Sequence, residues 1–427
     1  MQKKLIALAI AGLAAAPAFA QTNVTLYGVA DVDIENIRTS STTVTGAGFG
    51  ARNRVTTNSS YIGFKGSEDL GNGMKAIFLY ESGVSFDSNS GLTGGRDSYV
   101  GLSSGWGTAI LGTATGPFRA IGSRYDLTPG ATGIGALTGF GGLGQGSGIL
   151  GQVGSGNFGA SAPSICTTGC VNSAGGAGYT WNSRTPNAIA YISPDLAGFK
   201  AVIGYSANEG KSQQSANPPT NPYAWEIGLG YAGGPFNADF AWRQHKNLSA
   251  NNLSYYNTFN TPVGTTSVVN RNEGSTQDGY RLGLSYAFGF GLKLSGIYEY
   301  LDFEDAATFL NGTTQVGSGT RSANRSAWSL GASYDMGPHN FIVQGGYADK
   351  LDGDTASNND TSGNMWTFRY AYNMSKRTQA YALYSAMNNG SDVNYDFGGG
   401  GGDPFQTGNL PKGSTIRGFG LGVRHNF

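Results

Sequence analysis

The sequence predicts an all-β protein, a sixteen-stranded antiparallel barrel that crosses a membrane with its strands, and three observations carry that expectation. Large apolar residues alternate with small or polar ones over segments of about ten residues, the period-two signature of a strand with two unlike faces. Aromatic residues gather at the ends of the apolar faces, as at Trp225 and Tyr231 or Trp328 and Tyr334, where a membrane barrel carries its interfacial girdles. Tight turns interleave with long polar loops, the rhythm of short periplasmic turns and longer outer loops. A soluble two-sheet sandwich shows the same alternation. Here, however, the face opposite the apolar one carries Lys, Arg, Glu, Gly and Ser, and no second apolar layer exists to cover the first.

The chain has 427 residues, 70 of them Gly, with 23 Tyr, 22 Phe and 6 Trp but only 13% charged residues. That excludes a charged disordered chain and a coiled coil. Lys+Arg and Asp+Glu balance at 27 each without a polybasic block, so nucleic acid is not an expected partner. Lys3 and Lys4 precede the apolar run Leu5 to Ala16, Pro17 and Ala18-Phe19-Ala20. This is the pattern of a signal peptide over residues 1–20, cleaved before Gln21, which leaves 21–427 as one barrel. The run is too short to span a membrane as a helix.

From the N-terminus, strands are expected near 22–35, 54–66, 73–87, 95–103 and 107–114, with tight turns at Glu68 to Asn72 and Gly105-Trp106-Gly107. After a long connection come 184–193, 198–208, 223–233 and 235–246. In this stretch Trp225, Ile227, Leu229 and Tyr231 alternate with Glu226, Gly228 and Gly230. Then follow 278–288, 291–303, 325–336, 339–349, 363–374, 376–388 and 414–427. An even number of strands closes an antiparallel barrel with both ends on one side, and sixteen leave room for an aqueous channel. Closure also removes the unpaired edges that lipid would not tolerate.

The connection 114–183 breaks the rhythm. It is rich in Gly, Ser and Thr and carries no charge from Leu127 to Ser183; loops of this length are functional or disordered. Its place after the fifth strand suggests a third outer loop folded into the lumen as a constriction, while its glycine content also suits an outer lid. Cys166 and Cys170 lie within it, close enough for a disulfide-pinned turn in an oxidising compartment; two thiols remain the other reading.

Several motifs resemble those of the general diffusion porins of β-proteobacteria and neisseriae. They are Val24-Thr25-Leu26-Tyr27-Gly28, Gly63-Phe64-Lys65-Gly66-Ser67-Glu68-Asp69-Leu70-Gly71, Tyr191-Ile192-Ser193-Pro194 with Gly198-Phe199, Ser375-Lys376-Arg377-Thr378 and the ending Gly422-Val423-Arg424-His425-Asn426-Phe427. The resemblance covers essentially all of 21–427. It implies a passive channel for small hydrophilic solutes and ions in the outer membrane, among phospholipid and lipopolysaccharide, usually a homotrimer. It also implies that Phe427 is the terminal aromatic presented to the barrel-assembly machinery. A substrate-specific channel or a surface adhesin on the same barrel is the alternative.

Ion selectivity comes from charges facing the lumen where it is narrowest. Parity places Lys65, Lys75, Arg184, Arg281, Arg369 and Arg424 inward as basic candidates, with Glu81 and Asp97 as acidic ones. The family faces wall arginines against acids on the inward loop, and by that resemblance Arg184 is a wall position and Asp126 a loop acid. The chain departs from the family where Tyr61 stands in place of an inward arginine and where Asp97 is inward with Arg96 beside it. The resemblance implies anion preference, while these substitutions and the uncharged loop leave weak selectivity of either sign as the alternative.

Enzymatic chemistry has little support. His245, His339 and His425 lie far apart in the predicted order, without a nucleophile, base and orienting group together. Gly139-Phe140-Gly141-Gly142-Leu143-Gly144 has dinucleotide spacing but neither follows a βαβ strand nor opens a helix, so no cofactor is expected. Asp352-Gly353-Asp354 and Asp360 lack the ligand spacing of a hand-type calcium loop, and no metal is expected.

Overall fold

The computed structural model describes residues 23–41, 50–88, 91–138, 181–207, 221–247, 267–311, 314–353, 360–393, 395–397 and 413–427. The proposed signal peptide, Cys166 and Cys170, the Gly139 to Gly144 motif and Asp354 lie outside these residues. The strands are β1 (Asn23–Ser41), β2 (Arg52–Thr57), β3 (Tyr61–Gly71), β4 (Met74–Val84), β5 (Leu92–Ser104) and β6 (Gly107–Ala114). Next come β7 (Thr185–Ile192), β8 (Phe199–Ser206), β9 (Tyr223–Gly233), β10 (Phe236–Lys246), β11 (Ser267–Ala287) and β12 (Leu292–Asn311). The last are β13 (Thr314–Met336), β14 (His339–Ala348), β15 (Asp352–Gly353), β16 (Gly363–Asn373), β17 (Thr378–Asn389) and β18 (Ser414–Asn426).

All belong to one antiparallel sheet that closes on itself where β1 pairs with β18, from Val29 opposite Asn426 to Ser41 opposite Ser414. β2 and β3 both pair with β1 and form one stave interrupted at Asn58 to Ser60, while β14 and β15 both pair with β13. The barrel therefore has sixteen staves. The seam is completed by Phe427, whose N–H donates to the Gly28 carbonyl at 3.0 Å while the Gly28 N–H donates back at 3.1 Å.

Period-two alternation sets what each stave shows to lipid. On β9, Trp225, Ile227 and Leu229 are exposed on the outer face while Ala224, Glu226 and Gly228 are buried inside. Aromatic pairs rim the outer surface at both ends. Trp106 stacks with Tyr191, and Phe199 packs on Tyr231, at the end with tight turns; Tyr205 packs on Trp225 at the other.

The structure departs from the sequence expectation in strand length. β11, β12 and β13 extend well beyond 278–288, 291–303 and 325–336, rising as a tall pair of hairpins. Above the membrane both faces of a sheet meet water, so the ladder continues while the apolar alternation that marks a strand stops.

Residues 115–138 of the third loop lie in the interior. Helix α1 (Pro117–Tyr125) starts with Pro in its first turn, where a missing N–H costs nothing. Phe118, Ile121 and Tyr125 recur at helical spacing on one buried face. Burying each contributes about 2 kcal/mol. The wall beneath is cleared of side chains: a Cβ on Gly228 would lie 2.5 Å from Pro117, and one on Gly283 would lie 2.3 Å from the Tyr125 ring. Inward glycines that suggest an open, featureless lumen are thus the bed on which the loop lies.

Candidate functional site

Residues 115–138 cross the barrel interior and are fastened to opposite walls. On the β10 to β12 side, Arg281 Nη1 donates to the Phe118 carbonyl at 2.9 Å and its Nη2 to Asn182 Oδ1 at 3.0 Å. Ser295 donates to the Tyr125 carbonyl at 2.7 Å, and Arg124 pairs with Asp239 at 2.8 Å. Tyr125 also donates to Asp239 at 2.8 Å, and burial together with that carboxylate raises its pKa.

On the opposite wall, Gln344 Nε2 donates to Asp126 Oδ1 at 2.8 Å and to the Gly135 carbonyl at 2.9 Å, while Thr367 donates to the same carbonyl at 3.0 Å. The Asp126 carboxyl also accepts from the backbone of Thr128, Leu137 and Thr138 and from the Thr138 hydroxyl. Burial raises its pKa, opposed by these bonds. Asp126 is 6% exposed. In place of the loop acid facing wall arginines that the resemblance implies, it is a buried knot in the loop, because every donor within reach belongs to the loop or to Gln344.

Beside the loop, the inner wall carries a mixed quartet of charges. Arg96 pairs with Glu81 at 2.9 Å, and Arg184 with Asp97 at 3.0 Å. Tyr27 donates to Glu81 at 2.8 Å and Thr115 to Asp97 at 2.9 Å. Simple parity turns only Asp97 inward. The register shifts by one residue between Tyr80 opposite Ser98 and Ser82 opposite Gly95, and this bulge sets both Arg96 and Asp97 against Glu81. The Arg96 guanidinium lies 4.0 Å from the Tyr61 ring, so a cation from β5 reaches the place where Tyr61 stands in β3.

Along β1, Asp31, Asp33 and Glu35 share the inner face. Arg424 donates to Asp31 at 2.7 Å and to Ser59 at 3.0 Å, Tyr381 donates to Asp31 at 2.8 Å, and Arg54 pairs with Glu35. Arg369 lies over the Tyr381 ring at 4.5 Å and is 2% exposed. Arg281 is buried against Glu299, which also meets Arg325 at 3.4 Å. Arg281 therefore holds loop and wall together, while Arg369 is held within the wall by Tyr381 and Gln379 and lines the cavity beneath the loop. Lys65 and Lys75 are exposed, Lys75 lying across the β3–β4 pair from Asp69. Below the loop a cavity of about 310 Å³ is lined by Asp126, Lys293, Asp335, Arg369 and Gln379.

The sequence candidates omitted Glu226 with Arg243, paired at 3.0 Å, as well as Glu299, Arg325, Arg54 and the β1 acids. Parity and hairpin register place these groups inward; only Arg96 is hidden by a bulge. Among the described residues no group of three or more His, Cys, Asp and Glu is disposed to hold a metal.

The chain is 27% identical to outer membrane porin protein 32 of Delftia acidovorans over the whole of both chains. It is 28% identical to an outer membrane porin protein of Bordetella pertussis, over 91% of this chain and 95% of the relative. In fold it is similar to an anion-selective porin from Comamonas acidovorans, with a TM-score of 0.63 and 24% identity over 95% of this chain and all of that one. Residues 7–392 match the family described as Gram-negative porin. With a closed barrel whose interior is narrowed by an anchored loop, the chain belongs to the Gram-negative porin family and is a passive channel of the outer membrane.

Proposed function

We propose that this channel passes small hydrophilic solutes and ions with only a slight preference for anions. The observation that carries the reading is charge pairing. Arg96, Arg184, Arg54 and Arg424 each meet a carboxylate on the inner wall, so among the described residues no bare arginine row lines the passage, and fields from opposite charges a few ångströms apart largely cancel at the distance of a hydrated ion. Lys65, Lys293 and Arg369 have no acid within ion-pair distance among the described residues, against Asp33 and Asp335 on the inner side, and the balance leans to anions. The relative named as anion-selective supports the direction.

Residues 1–20 act in this reading as a cleaved export signal, Phe427 as the feature presented to the assembly machinery, and the working form is a homotrimer. The testing experiment is single-channel current of the refolded protein (residues 21–427) across a planar bilayer under a salt gradient. Stable conductance with a small reversal potential of anionic sign is expected. Folded barrels that conduct nothing would overturn the reading.

A further inference from the structure

The cavity below the third loop is lined by two cations and an acid that the barrel leaves without a counter-charge. Among the described residues neither Lys293 nor Arg369 lies within ion-pair distance of a carboxylate. Arg369 is buried; its Nη2 donates to Gln379, while its Nη1 has no hydrogen-bond partner. A buried donor left unmade is costly, so this guanidinium is held one bond short. Asp335 accepts from Asn340 at 2.7 Å through Oδ1 and meets no cation. Asp126 also lines the cavity, but its oxygens are taken up by the loop and Gln344.

Register fixes where these charges stand. Lys293, Ser333, Ile342 and Arg369 are successive partners across β12, β13, β14 and β16. The two cations therefore share one inward row, with Cα atoms about 14 Å apart across three strand spacings, and their long side chains flank the cavity from either side. Asp335 stands two residues further along β13, about 7 Å nearer the tight turn at Gly337-Pro338. The positive row thus lies under the loop and the negative group at the mouth. Between them the surface is apolar, with Leu127 and Pro129 from the loop and Ile342 from the wall.

We propose that this cavity binds a zwitterionic peptide of dipeptide length, its carboxylate between Lys293 and Arg369 and its ammonium at Asp335. An extended dipeptide spans about 7 Å, and a free amino acid about half of that; the longer span matches the offset between the cation row and the acid. A carboxylate suits a guanidinium and an ammonium approaching from two sides. Small side chains of the peptide rest on Leu127, Pro129 and Ile342. A dicarboxylate would set its second charge against Asp335, and a diamine would set one against the cation pair. The site rests on the channel reading only for the supply of its ligand, which reaches the cavity past the loop.

The test is binding of L-alanyl-L-alanine to the refolded protein in detergent micelles, followed by saturation-transfer NMR against protein-free micelles. The comparison probes are its N-acetyl form, which lacks the ammonium, and its amide, which lacks the carboxylate. The free dipeptide should bind about fivefold more tightly than either blocked form, the effect of one charge pair at about 4 Å in water. Asp335→Asn should abolish the preference over the acetylated form and keep that over the amide; Lys293→Gln should reduce the preference over the amide and keep the other. Lys293 is half-buried and Asp335 exposed, so both variants leave the barrel able to fold. No binding of the free dipeptide, equal binding of all three probes, or parent-like ratios in both variants would overturn the site. Because this readout needs no current, a silent bilayer would count against the channel reading while the binding ratios still decide the site.

Discussion

The side-chain amide of Gln344 on β14 reaches across the lumen to the Asp126 carboxyl of the third loop, donating from Nε2 to Oδ1 at 2.8 Å while its own Oε1 accepts from the Leu127 N–H at 2.9 Å. One wall residue thus satisfies a side chain and the backbone of a loop that is held on the far wall as well. Gln344→Leu removes both contacts; Asp126 keeps its donors within the loop, but the part-buried Leu127 N–H loses its acceptor, a cost of about 1–3 kcal/mol. A lower unfolding temperature and noisier open-channel current are expected. Gln344→Glu sets a carboxylate against Asp126, and its extra penalty should appear at neutral pH and fade as pH falls through the carboxyl range.

The Gly283 site tests whether the wall is shaped for the loop. A Cβ there would lie 2.3 Å from the Tyr125 ring and 2.8 Å from Ile121, so Gly283→Val forces α1 off its bed. Conductance should change markedly while the barrel still folds. Gly345→Val, where the nearest atoms are 3.3 Å or more away, serves as the control. Equal conductance in both variants would mean that the helix does not set the aperture.

Behind the loop, Glu299 stands between Arg281 and Arg325, with all three side chains buried. Glu299→Gln leaves two guanidiniums without their carboxylate, and breaking a buried ion pair from one side costs about 3–5 kcal/mol. Because Arg281 also donates to Phe118 and Asn182, the loss should reach the pore. Refolding yield should fall, and the surviving channels should switch between conductance levels. A stable, quiet Glu299→Gln channel would show that packing alone holds the loop.

How much of this was legible follows from what lies on each face. Lipid reads a strand as a strict alternation, so Trp225 to Tyr231 or Trp366 to Tyr372 announce themselves from sequence. The tall upper parts of β11 to β13 do not, since water on both sides imposes no alternation. The charges divide similarly. Arg184 and Arg424 follow from parity, but Arg96 turns inward only through the bulge opposite Glu81. No local pattern says that Asp126 will be consumed by hydrogen bonds from Thr138 and Gln344, because those partners are brought together by the fold.

The Arg184–Asp97 pair offers the sharpest test of selectivity by cancellation. Each side chain retains partial contact with the lumen, 10% exposed for Arg184 and 23% for Asp97. Asp97→Asn leaves a cation uncompensated and should move the reversal potential toward anions, whereas Arg184→Gln leaves a carboxylate and should move it toward cations. A single unopposed charge acts on an ion about 4 Å away in water with about 1 kcal/mol, so each variant should alter the permeability ratio by up to about fivefold. Asp97→Asn with Arg184→Gln removes equal and opposite charges. If the pair acts on ions as a neutral unit, the double variant returns close to the parent ratio, and the mutant cycle isolates the coupling. A double variant displaced as far as either single one would mean that the two groups act on ions separately, and that pairing does not set the weak preference.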